Sequence, residues 1–216
     1  MKNVNGVIFD LDGTLLDSMW MWGDVAVRYI TSRGAVPRPG FREAIRSLNT
    51  IEEAQYYIDE YGIDLPLADV IDGRNSLMME FFSGEVKLKK GVITVLDALQ
   101  KRGIKMCIAT ATERELVEPA LKYHGIEGYF MGIFTCAEEK TNKKSPDIFI
   151  RAAACLGTAI YETLVVEDAL YAMETAERTG FIVAGVYDTV SDDHQDEIKA
   201  LCKYYWKDLD EMLAYL

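Results

Sequence analysis

The side chains best placed for chemistry are the two carboxylates of Asp10-Leu11-Asp12-Gly13-Thr14, which follow Gly6-Val7-Ile8-Phe9 directly. Val7, Ile8 and Phe9 are continuously apolar rather than alternating, the pattern of a parallel strand covered on both faces. Ligands in such sheets bind beyond the carboxyl ends of the strands, which is where this pair falls. One carboxylate, kept ionised, can attack as a nucleophile while the other exchanges a proton with a leaving group. The Thr14 hydroxyl and the amides around Gly13 are natural donors to an anion held there. Asp-Gly beside an apolar run is also a hairpin signal, but a hairpin needs a second strand after its turn. Leu16, Trp20, Gly23, Val27 and Ile30 are instead spaced by four and three, as in a helix.

Further candidates stand at the ends of other apolar runs. Thr110-Ala111-Thr112 closes Lys105–Ala109, and Glu167-Asp168 closes Thr163–Val166. Lys140, Lys143 and Lys144 share one loop before Ser145-Pro146-Asp147, where Ser145 as N-cap and Pro146 at the first helical position set a helix start. Taken singly, each has a plain structural account. Thr112-Glu113-Arg114-Glu115 reads as a capping box, Glu167-Asp168 as an acidic helix start, and the lysines as a solvated loop.

Together they resemble the motif set of the haloacid dehalogenase-like superfamily of phosphoryl-transfer enzymes, whose first motif is Asp-x-Asp-Gly-Thr after an N-terminal strand. The resemblance implies that Asp10 is the nucleophile that becomes a phosphoaspartate and that Asp12 is the general acid and base. It gives Thr110, helped by the Ala111 amide, a phosphate oxygen to bind. The third motif, Lys-Pro-x-Pro-Asp, counted back from Pro146-Asp147, selects Lys143 as the catalytic and phosphate-binding lysine, with Lys144 where the family has proline. The fourth motif, Glu-Asp or Gly-Asp after an apolar strand, selects Asp168, with Asp10 and Asp12 as the other metal ligands. Ala169 stands where the family often has a serine.

Asp10 and a phosphate dianion about 4 Å apart repel by on the order of 8 kcal/mol at an effective dielectric of about 20, so such a site needs cations. A lysine is one. A hard divalent metal on carboxylate oxygens is the other, with magnesium the usual choice beside phosphate. The expected activity is therefore a magnesium-dependent phosphatase acting on a small phosphorylated metabolite. One alternative is a β-phosphoglucomutase-like sugar phosphomutase. Such enzymes carry a basic residue early in one cap helix; here that position is Ile51, with Arg42, Arg46 and Arg74 as possible substitutes. A second alternative is a non-enzymatic phospho-acceptor of the receiver type, which the long helical insertion and the Asp12-Gly13-Thr14 continuation disfavour.

The elements that must position these residues fall into two sets. From Leu16 to Ser83 the pattern predicts only helices: one through Met19, Trp20, Trp22, Ala26 and Ile30, a short one through Phe41, Ile45 and Leu48, one opened by a Thr50-Ile51-Glu52-Glu53 capping box, and one from Pro66 through Phe81. From Val92 onward helical patterns alternate with apolar runs at Ile104–Ala109, Ile133–Cys136, Leu164–Val166 and Ile182–Val186, the signature of βαβ units, with an edge strand at Lys203–Trp206. The expected fold is α/β, a Rossmann-like parallel-sheet core (1–15 and 86–216) with a helical-bundle cap (16–85) inserted after the first strand. Pro119, inside the Glu113–His124 helix, predicts a kink or a restart at Glu118.

Composition narrows the partners. At 216 residues, half of them hydrophobic, the chain is long enough for a sizeable core. A net charge of -12 disfavours nucleic acid and acidic membrane surfaces, which reward basic patches. No apolar run is long enough for a signal segment or a bilayer span, so the expected location is cytoplasmic. The four cysteines lack metal-ligand spacing and read as buried free thiols.

Overall fold

The computed structural model describes residues 1, 3–45, 48 and 50–216. In chain order its strands are β1 (Gly6–Phe9), β2 (Leu16–Asp17), β3 (Lys87–Leu88), β4 (Lys105–Thr110), β5 (Ile133–Thr135), β6 (Thr163–Glu167), β7 (Ile182–Val186) and β8 (Tyr204–Trp206). Its α-helices are α1 (Met21–Ser32), α2 (Phe41–Ile45), α3 (Thr50–Tyr61), α4 (Leu67–Phe82), α5 (Val92–Lys101), α6 (Arg114–Tyr123), α7 (Asp147–Leu156), α8 (Leu170–Thr179) and α9 (Gln195–Leu201). They form two compact units, one of Met1–Met19 with Lys87–Leu216 and the other of Trp20–Val86.

The first unit is built on a parallel sheet of order β5-β4-β1-β6-β7-β8. Apolar runs without alternation make its central strands: every residue of β1 and β6 is buried. Ile8, Cys107, Val165 and Val183 face Ile148, Phe149 and Ala152 of α7 and Ala172, Met173 and Ala176 of α8 in one core cluster. The residues of opposite parity, Val7, Phe9, Ile108, Leu164 and Val166, are as fully buried. Strand order reverses beside β1, since β4 and β5 lie on one side of it and β6 to β8 on the other. That is the crevice where such sheets take ligands. Phe9 stands opposite both Ile108 and Val166, so the residues that follow these three emerge at one end of the sheet.

The structure departs from the expected elements at several points. Leu16–Asp17 is a strand, paired antiparallel with Lys87–Leu88, although no strand was expected between Leu16 and Ser83. This pairing brings Leu16–Met19 into the first unit, at the points where the chain leaves it and returns. Pro119 lies inside a continuous α6, with no restart at Glu118. The backbone hydrogen bond that a proline forgoes is offset by an apolar face of Leu116, Val117, Ala120 and Leu121, all buried. The thiols are free, but Cys107 alone is fully buried and Cys155 is exposed.

The second unit packs α1 to α4 around Ala26, Tyr29, Ile30, Phe41, Ala54, Tyr57 and Val70. Tyr29 stacks on Tyr57 with ring centres 5.7 Å apart, and Phe41 meets Tyr61 edge-on at 5.4 Å. Glu53, expected to close a capping box, is buried instead, pairing with Arg74 at 2.9 Å and accepting from the Tyr57 hydroxyl.

Candidate active site

Asp10 leaves the end of β1 with its amide bonded to the Val166 carbonyl at 2.9 Å, which fixes it between β1 and β6. Its carboxylate forms a buried ion pair with Lys143, whose Nζ also donates to Oε1 of Glu167 at 2.6 Å. Burial works against the Lys143 charge, but the Asp10 and Glu167 carboxylates outweigh it and hold the ammonium protonated well above its usual range. Lys144, the neighbour where the family has proline, is exposed, as is Lys140. Counting back from Pro146-Asp147 therefore selects the lysine that reaches the strand ends. Pro146 already has helical backbone angles, and Ser145 bonds to Asp147, so this helix start tethers the Lys143 loop.

Glu167 ends β6 and Asp168 follows it. Carboxylate oxygens of Asp10, Glu167 and Asp168 lie within 4.8 Å of one another, and all three residues are buried. Burial raises the carboxyl groups of Glu167 and Asp168 above their ordinary range, and the neighbouring Asp10 charge adds to it, with Lys143 opposing. Both oxygens of Glu167 are engaged: Oε1 by Lys143, and Oε2 by the amides of Asp168 and Ala169, each at 3.2 Å. Gly13 makes the close approach of the two strand ends possible. Its φ is +85°, and a Cβ there would lie 2.4 Å from Oδ2 of Asp168.

Asp12 is not a member of the three-carboxylate group, although it was expected among the metal ligands. Its oxygens face elsewhere: Oδ1 accepts from the Ser18 hydroxyl and Oδ2 from the Thr112 hydroxyl, both at 2.6 Å. Burial raises its carboxyl from 3.8 to about 6, against the lowering effect of these two hydroxyls. Thr112, expected to open a capping box, does not cap α6, whose N-cap is Glu113. The Thr112 amide donates to Oγ1 of Thr110 at 3.1 Å while its hydroxyl reaches Asp12, tying the end of β4 to that of β1. Thr110 is buried, and Ala111 after it is exposed at the strand end.

Asp10, Lys143 and Asp168 converge directly, while Thr110 is linked through Thr112 to Asp12. Residues 7–186 match the family model described as haloacid dehalogenase-like hydrolase. The chain belongs to that family. Membership makes this haloacid dehalogenase-like protein an enzyme, a hydrolase with phosphatases among its relatives. It is 28% identical over 230 residues to an Arabidopsis thaliana mitochondrial (DL)-glycerol-3-phosphatase, a match covering 99% of this chain and 71% of the relative. It is also 28% identical over 186 residues to the Arabidopsis thaliana bifunctional riboflavin kinase/FMN phosphatase. That match covers 83% of this chain but 48% of the relative, so the chain spans about half the length of that protein. In fold it resembles a Thermotoga maritima protein provisionally named a β-phosphoglucomutase, with a TM-score of 0.85, 22% identity and 98% of both chains covered.

Sequence reasoning gave no part in the site to Ser18 or Thr112, and did not foresee the second bond of Lys143 to Glu167. Thr112 carried a usable signal, lying two residues beyond Thr110 at the end of an extended run. Of the arginines weighed as a mutase's basic residue, Arg42 pairs with Asp24 and Arg74 with Glu53, while Arg46 lies outside the described residues. Among the described residues no helix is long and apolar enough to cross a membrane.

Proposed function

We propose that this hydrolase is a magnesium-dependent phosphatase of a small phosphorylated metabolite, working through a phosphoaspartate, with the cytoplasm as its compartment. The observation that carries the reading is the contrast between its two strand-end aspartates. Asp10 sits in a buried ion pair with Lys143, whereas Asp12 accepts from two hydroxyls and has its carboxyl raised to about 6. Two carboxyl groups in environments this different suit a nucleophile and a proton carrier.

In this reading a carboxylate oxygen of Asp10 attacks phosphorus in line, and Asp12 gives its proton to the departing alkoxide oxygen. Asp12 then takes a proton from a water molecule, which attacks the phosphoaspartate and releases inorganic phosphate and free Asp10. The Lys143 ammonium, the Thr110 hydroxyl and the Ala111 amide hold the non-bridging oxygens. Carboxylate oxygens suit a hard divalent cation, and with Glu167 engaged by donors, Asp10 and Asp168 are the pair to hold it. Magnesium there would supply Lewis-acid charge against the repulsion between Asp10 and the phosphate. The pairing of Arg42 and Arg74 with carboxylates supports hydrolysis over a mutase, which needs a spare cation for a second phosphate.

The test is phosphate release from sugar phosphates, nucleotides and small organic phosphates, with and without magnesium, beside Asp10→Asn. Release that needs the cation and disappears in Asp10→Asn is expected. Isomerisation of a sugar phosphate without release would assign a mutase instead, and normal turnover by Asp10→Asn would rule out the covalent route.

A further inference from the structure

A second ion pair, largely shielded from water, lies in the first unit. Lys89 Nζ donates to Oδ2 of Asp188 and to the Tyr187 carbonyl, both at 2.7 Å, and the two side chains are only 13% and 5% exposed. Removing two charges this far from water is costly, so the pair calls for a reason beyond stability. Lys89 directly follows β3, and its amide donates to the Leu15 carbonyl at 2.9 Å. Asp188 opens the turn after β7. Its Oδ1 accepts from the Val190 amide at 3.0 Å, and its carbonyl accepts from the Ser191 amide at 3.1 Å.

This turn ends on the candidate site. The Ser191 hydroxyl, buried, donates to the backbone carbonyl of Asp168 at 3.0 Å. One hydrogen-bonded path therefore runs from Leu15 through Lys89, Asp188 and Ser191 to Asp168. It brings a hydroxyl from a neighbouring loop to the strand end where Ala169 offers none.

We propose that Lys89, Asp188 and Ser191 are positioning residues for Asp168, fixing its backbone so that its carboxylate meets Asp10, and that they thereby set the affinity for the divalent cation. The proposal rests on the cation site assigned above. Outer partners of metal-binding groups set affinity in this way by orienting them.

The experiment is magnesium binding to the chelator-stripped full chain by titration calorimetry, below each variant's cation-free thermal midpoint, for Ser191→Ala, Lys89→Met, their double variant and Asp168→Asn. Each single variant is expected to bind magnesium about tenfold more weakly. The double variant should lose less than the product of the two, because both act through one turn. Should Ser191→Ala fail to fold, Asp188→Asn, of the same size, takes its place. Unaltered affinity in Ser191→Ala and Lys89→Met, with binding lost in Asp168→Asn, would overturn the positioning role and leave the cation site standing. A double variant equal to the product would break the path into independent effects and overturn it too. Full affinity in Asp168→Asn would instead remove the cation assignment itself.

Discussion

The Thr112 hydroxyl donates to Oδ2 of Asp12 across 2.6 Å, so a residue beyond β4 bears on the proton affinity of a residue beyond β1. A hydrogen bond to the ionised form lowers a carboxyl pKa, here opposing the burial that raises it. Thr112→Val keeps the shape and removes the donor. Hydrogen bonds to charged groups contribute about 1.5–3 kcal/mol, so the Asp12 pKa should rise by about one to two units. Both limbs of the pH–rate profile governed by Asp12 should then move to higher pH: the fall in acid catalysis of leaving-group departure and the rise in base catalysis of water attack. An unshifted profile in Thr112→Val would separate Asp12 from the titrating step.

Proton linkage makes a second prediction. Asp12, Glu167 and Asp168 have carboxyl groups raised above their unfolded values. Raised groups bind protons more tightly when folded, so the stability they contribute is fully present below the unfolded values and is lost as pH rises through the folded ones. For Asp12 that window runs from 3.8 to about 6, and Glu167 and Asp168 act in the same direction. The metal-free protein should lose stability across this range. Magnesium must displace protons to bind, so the rise in thermal midpoint on adding it should be larger at pH 8 than at pH 5. Thermal melts at the two pH values check this, and an equal rise at both would mean that binding displaces no protons.

The second unit offers a contrast between two ion pairs. Arg74 and Glu53 are about 4% and 7% exposed at their side chains, whereas Arg42 and Asp24 are 53% and 37% exposed. Arg74→Met leaves Glu53 buried without its cation and should destabilise the protein by about 3–5 kcal/mol. Arg42→Met breaks an exposed pair and should change stability by less than about 1 kcal/mol. Urea unfolding of the two variants measures the difference, and equal losses would contradict the burial assigned to the Glu53–Arg74 pair.

Much of the sheet was legible locally. Apolar runs without alternation located the four inner strands, because a strand buried on both faces must be apolar throughout, and shorter apolar runs located the β5 and β8 edges. Since ligands gather at strand ends, the same runs pointed to Asp10, Thr110 and Asp168. The β2–β3 pair was not legible. Each strand is two residues long, too short for any period, and its partner lies at the far side of the helical insertion. Glu53 and Thr112 both carried capping-box spelling, which describes only the four residues it spans. A buried partner elsewhere in the fold redirected each of them, Arg74 in one case and Asp12 in the other.

By itself the sequence determined which residue types stand at the strand ends, because strand, turn and cap signals are local in the chain. Only the tertiary structure decided how the charges are shared. Lys143 is shared between Asp10 and Glu167, Glu167 rather than Asp12 joins the three-carboxylate group, and Asp12 is left to Ser18 and Thr112. The physical reason is that burial and pairing arise between segments distant in sequence, and they set which carboxylate is neutralised and which can carry a proton.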